Sequence, residues 1–120
     1  MQPDRATIVR LWDMLDACRS ILDRAKGMSY EAFLEDDTLQ DAIQFKLIVI
    51  GEAAGNLSKA YRDAHAGIPW HKIIKQRHIV AHHYDIVSPE RIWDVVTTYI
   101  PDLAIKLEAL IPEPPDEPEL

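Results

Sequence analysis

The chain has 120 residues, of which 48% are hydrophobic and 28% charged, and its net charge is −7. This length allows one domain with one core, and the apolar content excludes wholesale disorder. The acidic total argues against a general binder of nucleic-acid backbone. No apolar run approaches the roughly 20 residues that span a bilayer. The single cysteine, Cys18, cannot form an internal disulfide. We therefore expect a cytoplasmic protein with no membrane partner.

The acidic charge is unevenly distributed along the chain. Residues 112–120 hold four acids, four prolines and no base. We expect this segment to be a flexible, solvated tail that follows a single domain at residues 1–111. No acid lies between Asp63 and Asp85, whereas Lys72, Lys75 and Arg77 fall inside that interval. The acidic chain therefore contains one basic segment.

The first predicted helix runs from about Asp4 to Lys26, with Gly27 as its stop. Apolar residues recur in it at alternating spacings of three and four, which is typical of a helix with one buried stripe: Ile8, Leu11, Leu15, Cys18, Leu22 and Ala25. A short connector follows at residues 29–37. We expect Phe33 and Leu34 to anchor that connector to the core.

The second predicted helix begins at Asp36 or Asp37, either of which can accept a hydrogen bond from a free amide of the first turn. Its apolar stripe continues to about Ala64. Gly51 lies inside this helix, where glycine costs about 1 kcal/mol relative to alanine. We attribute the glycine to close packing against another helix.

Two further helices complete the predicted fold. Pro69 and Trp70 begin the third, because proline loses no hydrogen bond at a first helical position, and this helix ends near His82. Ser88 followed by a proline and an acid begins the fourth. Its stripe includes Tyr99 and ends at about residue 110, with a kink near residue 101. With no strand signal, the sequence predicts an all-α, antiparallel four-helix bundle.

The segment RHIVAHHY, residues 77–84, carries an unusual number of polar groups for an apolar helix. At about 100° per residue, Arg77, His78, His82 and Tyr84 share one broad face, and His83 lies on the opposite side. Arg77 lies in the middle of the apolar stripe, flanked by Ile73, Ile74, Val80 and Ala81. An unpaired guanidinium buried there would cost several kcal/mol. Arg77 therefore requires a buried carboxylate, an interface or a docked anion.

Three interpretations of this segment remain open on the residues alone. In the first, Arg77 pairs with an acid of helix one or two and the histidines are structural. In the second, His78 and His82 bind a metal as an i, i+4 pair, but Asp85 is the only nearby third ligand. In the third, the arginine binds a phosphate and a histidine moves a proton. RNA would then supply its own nucleophile, the 2′-hydroxyl.

The pattern R-x4-H-x-Y, formed by Arg77, His82 and Tyr84, resembles the motif of the HEPN superfamily, and specifically of its HepT-type toxins. The similarity extends to four further segments: FLEDDTLQDAI, IVIGEAA, the IPW before helix three, and the IPDL near the end. Together they cover roughly residues 4–110. The resemblance implies a four- to five-helix bundle that dimerises with its motif helices facing one another across a cleft.

The resemblance also implies a function for each motif residue. It indicates a metal-independent endoribonuclease without a cofactor, in which Arg77 binds the scissile phosphate. His82 would act as general base or acid. His78 occupies a position that most often holds asparagine in the family, so its role as a second catalytic group stays open. The implied partner is a minimal nucleotidyltransferase (MntA-type) antitoxin, which would transfer AMP to Tyr84.

A non-catalytic role is the alternative. The chain could be a helical module that scaffolds a nucleotidyltransferase or binds nucleotides without cutting RNA. The net charge of −7 favours this alternative slightly, because RNA must approach an acidic surface. Of the remaining aromatic residues, we expect Tyr30, Tyr61 and Tyr99 to serve packing alone.

Overall fold

The structure, a computed structural model, describes residues 3–82 and 88–112, and only the backbone of residues 79–82. Within these ranges every regular element is helical, which confirms the all-α class. The elements are α1 (Arg5–Ala25), α2 (Tyr30–Leu34), α3 (Asp37–Gly55), α4 (Lys59–Ala64), α5 (Trp70–His82), α6 (Pro89–Asp94) and α7 (Ile100–Leu110). A π-helical turn, Val95–Tyr99, joins α6 to α7. None of the described helices is long and apolar enough to cross a membrane.

Side-chain caps define where these helices begin. The Asp4 carboxylate accepts a hydrogen bond of 2.8 Å from the Thr7 amide at the start of α1. Asp36 caps α3 in the same way through the amide of Leu39, at 2.9 Å. Ser88 caps α6, whose first residue is proline. The predicted starts of these three helices are confirmed, because each depends on a local hydrogen bond that the sequence specifies.

Two predicted boundaries are wrong. The second helix does not continue to Ala64, because it ends at Gly55 and α4 begins separately after Ser58, whose hydroxyl accepts from the Tyr61 amide at 3.1 Å. The connector before α3 forms the short helix α2, capped by Ser29. Ser58 starts a new helix within residues that the apolar pattern had assigned to one helix, and Ser29 starts a helix within residues that were expected to be irregular.

The core forms where α1, α3 and α7 pack together, with α5 packed against α3 on the far side. Its largest fully buried side chains include Phe33, Leu11, Met14, Ile43 and Leu107. Phe33 anchors α2 as expected, whereas Leu34 is 42% exposed. Cys18 is completely buried, and this burial raises the pKa of its thiol to about 12. The thiol is therefore a core group.

The π-helical turn changes which residues of the last helix face the core. The Ile100 amide donates to the Val95 carbonyl, five residues back, so this turn holds one more residue than an α-helical turn. Ile100 is buried as a result, and Tyr99, which was expected in the core, is 55% exposed. The prediction that Tyr99 serves packing alone is therefore wrong.

Candidate functional site

Helix α5, which carries Arg77, is fixed at its start by a small aromatic cluster. The Trp70 indole is buried, and its Nε1 donates a hydrogen bond of 2.9 Å to the His65 carbonyl. The His65 ring stacks on Tyr61, with centroids 4.1 Å apart. The His65 Nδ1 also lies 2.9 Å from the Tyr61 carbonyl oxygen. These contacts tie the loop before α5 to α4 and set the direction in which α5 leaves.

Helix α3 places Gly51 directly against Arg77. A Cβ at position 51 would overlap the Cβ and Cγ of Arg77 and would approach its Cα to 3.2 Å. Only a glycine allows the two helices to come this close. The predicted role of Gly51 in close helix packing is thus confirmed, and the residue that it accommodates is the arginine of the motif.

The Arg77 guanidinium has no carboxylate partner among the described residues. The ion pairs in this part of the chain join Arg19 to Glu108, Lys59 to Asp63 and Lys106 to Asp102. Arg77 is partly buried, and its Nε is inaccessible to solvent and has no hydrogen-bond partner there. No acid of α1 or α3 therefore neutralises the guanidinium. This finding disagrees with the interpretation in which Arg77 pairs with an acid of helix one or two. A partly desolvated cation of this kind favours a bound anion.

The histidines of the motif lie at and beyond the limit of the described side chains. His78 is exposed on α5 and takes part in a noncovalent interaction. His82 is the last residue of α5, and its side chain is outside the description. In the helical register, positions 78 and 82 lie about 100° and 140° from Arg77 on the same side. His83 and Tyr84 lie outside the described residues, so their predicted placement stays a prediction.

The described part of the chain contains no cluster of metal-binding side chains. No group of three or more His, Cys, Asp or Glu side chains lies together there in a way that could hold an ion. Metal binding by His78 and His82 stays a prediction, because the side chain of His82 lies outside the described residues.

A cleft of about 410 Å³ lies on the other side of α5, between that helix, α3 and the segment from α6 to α7. Gln76 and Lys72 line it from α5, and Arg91 and Tyr99 line it from the opposite wall. No role was predicted for Gln76 or Arg91 from the sequence, and Tyr99 was expected to pack in the core. No local signal identified Tyr99, because a period of 3.6 residues does not reveal a π-helical turn.

The model of the family described as "Ribonuclease HepT-like" matches residues 14–110. The chain belongs to the HepT-like family. The resemblance noted in the sequence is confirmed at the level of the family, and the helical bundle is consistent with it.

Several curated proteins are similar to this HepT-like chain. One, described as "Putative RNase", comes from Caldanaerobacter subterraneus subsp. tengcongensis and is 34% identical over 82% of this chain and 88% of its own length. Another of that description, from Methanocaldococcus jannaschii, is 32% identical over 91% of this chain and 90% of its own. A "Probable ribonuclease HepT" from Thermococcus cleftensis is 32% identical over 83% of this chain and 91% of its own length. No solved structure matches the chain significantly.

Proposed function

We propose that this protein is a metal-independent endoribonuclease of the HepT type and the toxin of a toxin–antitoxin pair. The observation that carries the proposal is the Arg77 guanidinium, which has no carboxylate partner among the described residues and extends from a side chain whose Cβ and Cγ pack against Gly51 of α3. Relatives that are described as RNases support the choice of RNA as the substrate. Arginine suits a phosphodiester because its planar donors form two parallel charge-assisted hydrogen bonds.

The proposed reaction is an attack of the RNA 2′-hydroxyl oxygen on the adjacent phosphorus. His82 accepts the hydroxyl proton as the new O–P bond forms. The bond from phosphorus to the 5′-oxygen breaks, and that oxygen takes a proton from a general acid. The products are a 2′,3′-cyclic phosphate and a free 5′-hydroxyl. Arg77 stabilises the extra negative charge that the phosphorane oxygens gain in the transition state.

The second proton transfer is assigned to His78 or to the same His82. The two positions are one helical turn apart, so both imidazoles can face a substrate that lies along this side of α5. Imidazole is suited to either task, since its ordinary pKa lies close to neutral pH. If His78 is the acid, the His78→Ala variant should lose activity. If His78 only contacts a phosphate, that variant should bind RNA more weakly and keep its turnover.

The second part of the proposal is that the protein forms a homodimer. In the dimer, the α5 helices of two chains face one another, and the groove between them contains two copies of Arg77. Each copy of Lys72 and Lys75 adds positive charge to an otherwise acidic molecule. This arrangement would explain how a chain of net charge −7 attracts RNA.

Expression and cleavage assays test the nuclease. Expression of the parent chain should arrest growth, and purified protein should cleave RNA with undiminished rate in EDTA. Arg77→Ala and His82→Ala should relieve the arrest while keeping the helical circular dichroism spectrum. His71→Ala is the matched control, because it removes an exposed histidine from the same helix. If Arg77→Ala and His82→Ala arrest growth as strongly as the parent, the nuclease proposal fails. Loss of cleavage in EDTA would support the metal site instead.

The proposed antitoxin is a minimal nucleotidyltransferase that transfers AMP to Tyr84. A nucleotide on this residue would bring a bulky anion close to Arg77 and neutralise the phosphate site. After co-expression with the antitoxin, the intact mass should rise in AMP-sized steps. Tyr84→Phe should abolish these steps, and Tyr99→Phe, which changes an exposed tyrosine elsewhere, should keep them.

The net charge of −7 supports one other function, that of a non-catalytic partner of a nucleotidyltransferase. The two functions give opposite results in a mixture of purified protein and RNA. A scaffold leaves RNA intact at every protein concentration but still forms a complex with the nucleotidyltransferase on size-exclusion chromatography.

A further inference from the structure

The cleft beside α5 combines an apolar floor with a basic rim. Ile50, Ile73 and Leu103 contribute to the floor. Tyr99 borders it and is 55% exposed. The Gln76 Nε2 is buried at this cleft and has no acceptor among the described residues. The cleft therefore offers an apolar surface, an aromatic ring and a hydrogen-bond donor that need a partner.

The charged groups around the cleft leave a surplus of positive charge. Lys72, Lys75 and Arg91 line it, and none of them has an ion-pair partner within residues 3–82 and 88–112. Two acids line it as well. Asp102 pairs with Lys106 at 2.9 Å, and the Asp94 carboxylate accepts a hydrogen bond of 3.3 Å from the Thr98 hydroxyl. The rim therefore attracts an acidic partner.

The cleft and the histidines of the proposed nuclease site lie mainly on different sides of α5. In the register of α5, Ile73 and Gln76 lie about 40° and 100° to one side of Arg77. His78 and position 82 lie about 100° and 140° to the other side. Lys72 and Lys75 are shared with the basic surface of the proposed RNA groove, and Lys75 lies about 160° from Arg77, close to position 82. The chemistry of the cleft is inferred from its own lining residues and does not depend on the nuclease.

Residues 112–120 show a period of three that matches this cleft. Pro112, Pro115 and Pro118 form one set, and the next residue of each repeat is an acid, namely Glu113, Asp116 and Glu119. A polyproline II helix has three residues per turn, so the two sets form adjacent stripes, one of proline rings and one of carboxylates. Proline-rich segments in this conformation bind aromatic-lined grooves, and the preformed helix loses little entropy on binding.

The chain enters this segment in a suitable conformation. Ile111, the residue after α7, has φ −87° and ψ 125°, close to the polyproline II region. The prolines fix their own φ angles and restrict the residues before them to extended conformations. Leu103, in the first turn of α7, borders the cleft, and α7 spans only about 10 Å from there to Leu110. Nine residues of polyproline II span about 28 Å, more than the length of α7 between Leu110 and the cleft at Leu103.

We propose that residues 112–120 bind in this cleft of their own chain as a polyproline II helix. The proline stripe rests on Tyr99 and the apolar floor, and the acidic stripe faces Lys72, Lys75 and Arg91. Connection to α7 holds the segment near the cleft at a high effective concentration, so weak contacts suffice.

The test measures the distance from the tail to the cleft in the full-length chain. Leu120→Cys introduces a thiol on the third face of the tail helix, which carries neither stripe. Cys18 is buried with a raised pKa, so a nitroxide reagent should label only the new thiol. At low salt the label should broaden the backbone amide resonances of Lys72, Gln76 and Tyr99, relative to a diamagnetic label. Amides at the start of α1 should stay sharp.

Two neighbouring charge reversals separate specific binding from general attraction. Asp116→Lys and Glu117→Lys change the net charge equally, but only Asp116 belongs to the acidic stripe. Asp116→Lys should weaken the docked state about fivefold or more, and Glu117→Lys should weaken it much less. Combining Asp116→Lys with Lys72→Glu should restore the broadening. Equal effects of the two reversals would contradict the proposed stripe.

Mixed samples identify which chain supplies the tail. An isotope-labelled chain without nitroxide is mixed with an unlabelled chain that carries it. Broadening of the cleft resonances in this mixture would mean that the cleft binds the tail of a second copy, which overturns the proposal. Binding within one chain broadens them only when the same chain carries both labels. Sharp cleft resonances in both samples would overturn it as well.

Discussion

Gly51 of α3 and Arg77 of α5 pack so closely that no side chain fits at position 51. The glycine was notable in the sequence for its cost to the helix, and the arginine for its place in an apolar stripe. The contact between the two residues explains why a glycine stands at position 51 and how an arginine fits at position 77. The absent Cβ leaves space in which the first carbons of the arginine side chain pack, and the bundle thereby accommodates a long charged residue on a face that contacts another helix.

The first prediction concerns Gly51→Ala. The added methyl group must overlap Arg77, so we expect the free energy of unfolding to fall by about 1–3 kcal/mol despite the better helix propensity of alanine. Urea unfolding monitored by circular dichroism measures the change. Gly55→Ala is the matched control, because nothing lies within 4 Å of a Cβ there. That variant should be neutral or more stable by up to about 1 kcal/mol.

A second-site change checks the cause of this loss. The overlap involves the Cβ of Arg77, so Arg77→Ala should not rescue Gly51→Ala, whereas Arg77→Gly should recover part of the stability in a double-mutant cycle. Additive effects of Gly51→Ala and Arg77→Gly would show that the two positions do not interact.

The second prediction separates function from stability at Arg77. Its buried Nε has no partner among the described residues. Replacing it with an unbranched apolar residue removes the desolvation cost while keeping most packing. Arg77→Met should therefore unfold at an equal or higher urea concentration, with a gain of up to about 1 kcal/mol, and should lose RNA cleavage. A loss of more than about 1 kcal/mol would indicate that the guanidinium has a structural partner.

The third prediction concerns alkaline pH. Burial raises the pKa of the Cys18 thiol to about 12, whereas a thiol in the unfolded chain titrates near 8.5. As pH rises, the thiol of the unfolded state therefore ionises before the thiol of the folded state. The protonated thiol stabilises the fold fully below about pH 8.5, and the free energy of unfolding decreases as pH rises from there toward 12. Between pH 8.5 and 10 the free energy of unfolding should fall by about 1 kcal/mol per pH unit more than in Cys18→Ala. Parallel curves for the two proteins would contradict the burial of the thiol.

Burial also raises the pKa of the Tyr61 phenol, in the same direction. Its ordinary pKa is near 10, so its effect on stability begins above the window used for Cys18. Thiol reactivity provides a further check. An aromatic disulfide reagent at pH 8 should modify Cys18 only after denaturant is added.

The fourth prediction concerns the start of α5. Trp70→Phe keeps most of the buried aromatic surface but removes the donor to the His65 carbonyl. We expect a loss of about 1–2 kcal/mol in the free energy of unfolding and faster amide hydrogen exchange in the first turn of α5. Trp93→Phe is a suitable control, because Trp93 packs against Phe33 in another part of the bundle. Unchanged exchange in Trp70→Phe would show that the hydrogen bond does not fix the helix.

The amino-acid sequence by itself determined the features that depend on neighbouring residues. The starts of α1, α3 and α6 follow from cap residues that bond within one turn, such as Asp36 and Ser88. The place of Arg77 in an apolar stripe follows from helical periodicity, and the motif around it indicated the family. These features could be predicted because their partners lie within a few residues along the chain.

Contacts between distant segments determined the rest. Only the packing of α3 on α5 shows that the glycine at position 51 accommodates the arginine at position 77, since 26 residues separate them. The π-helical turn adds one residue to the turn that contains the exposed Tyr99, which borders the cleft, and a fixed period of 3.6 residues does not predict it. Local periodicity indicates which face of a helix is apolar, whereas the contact made by that face depends on the shape of the facing helix.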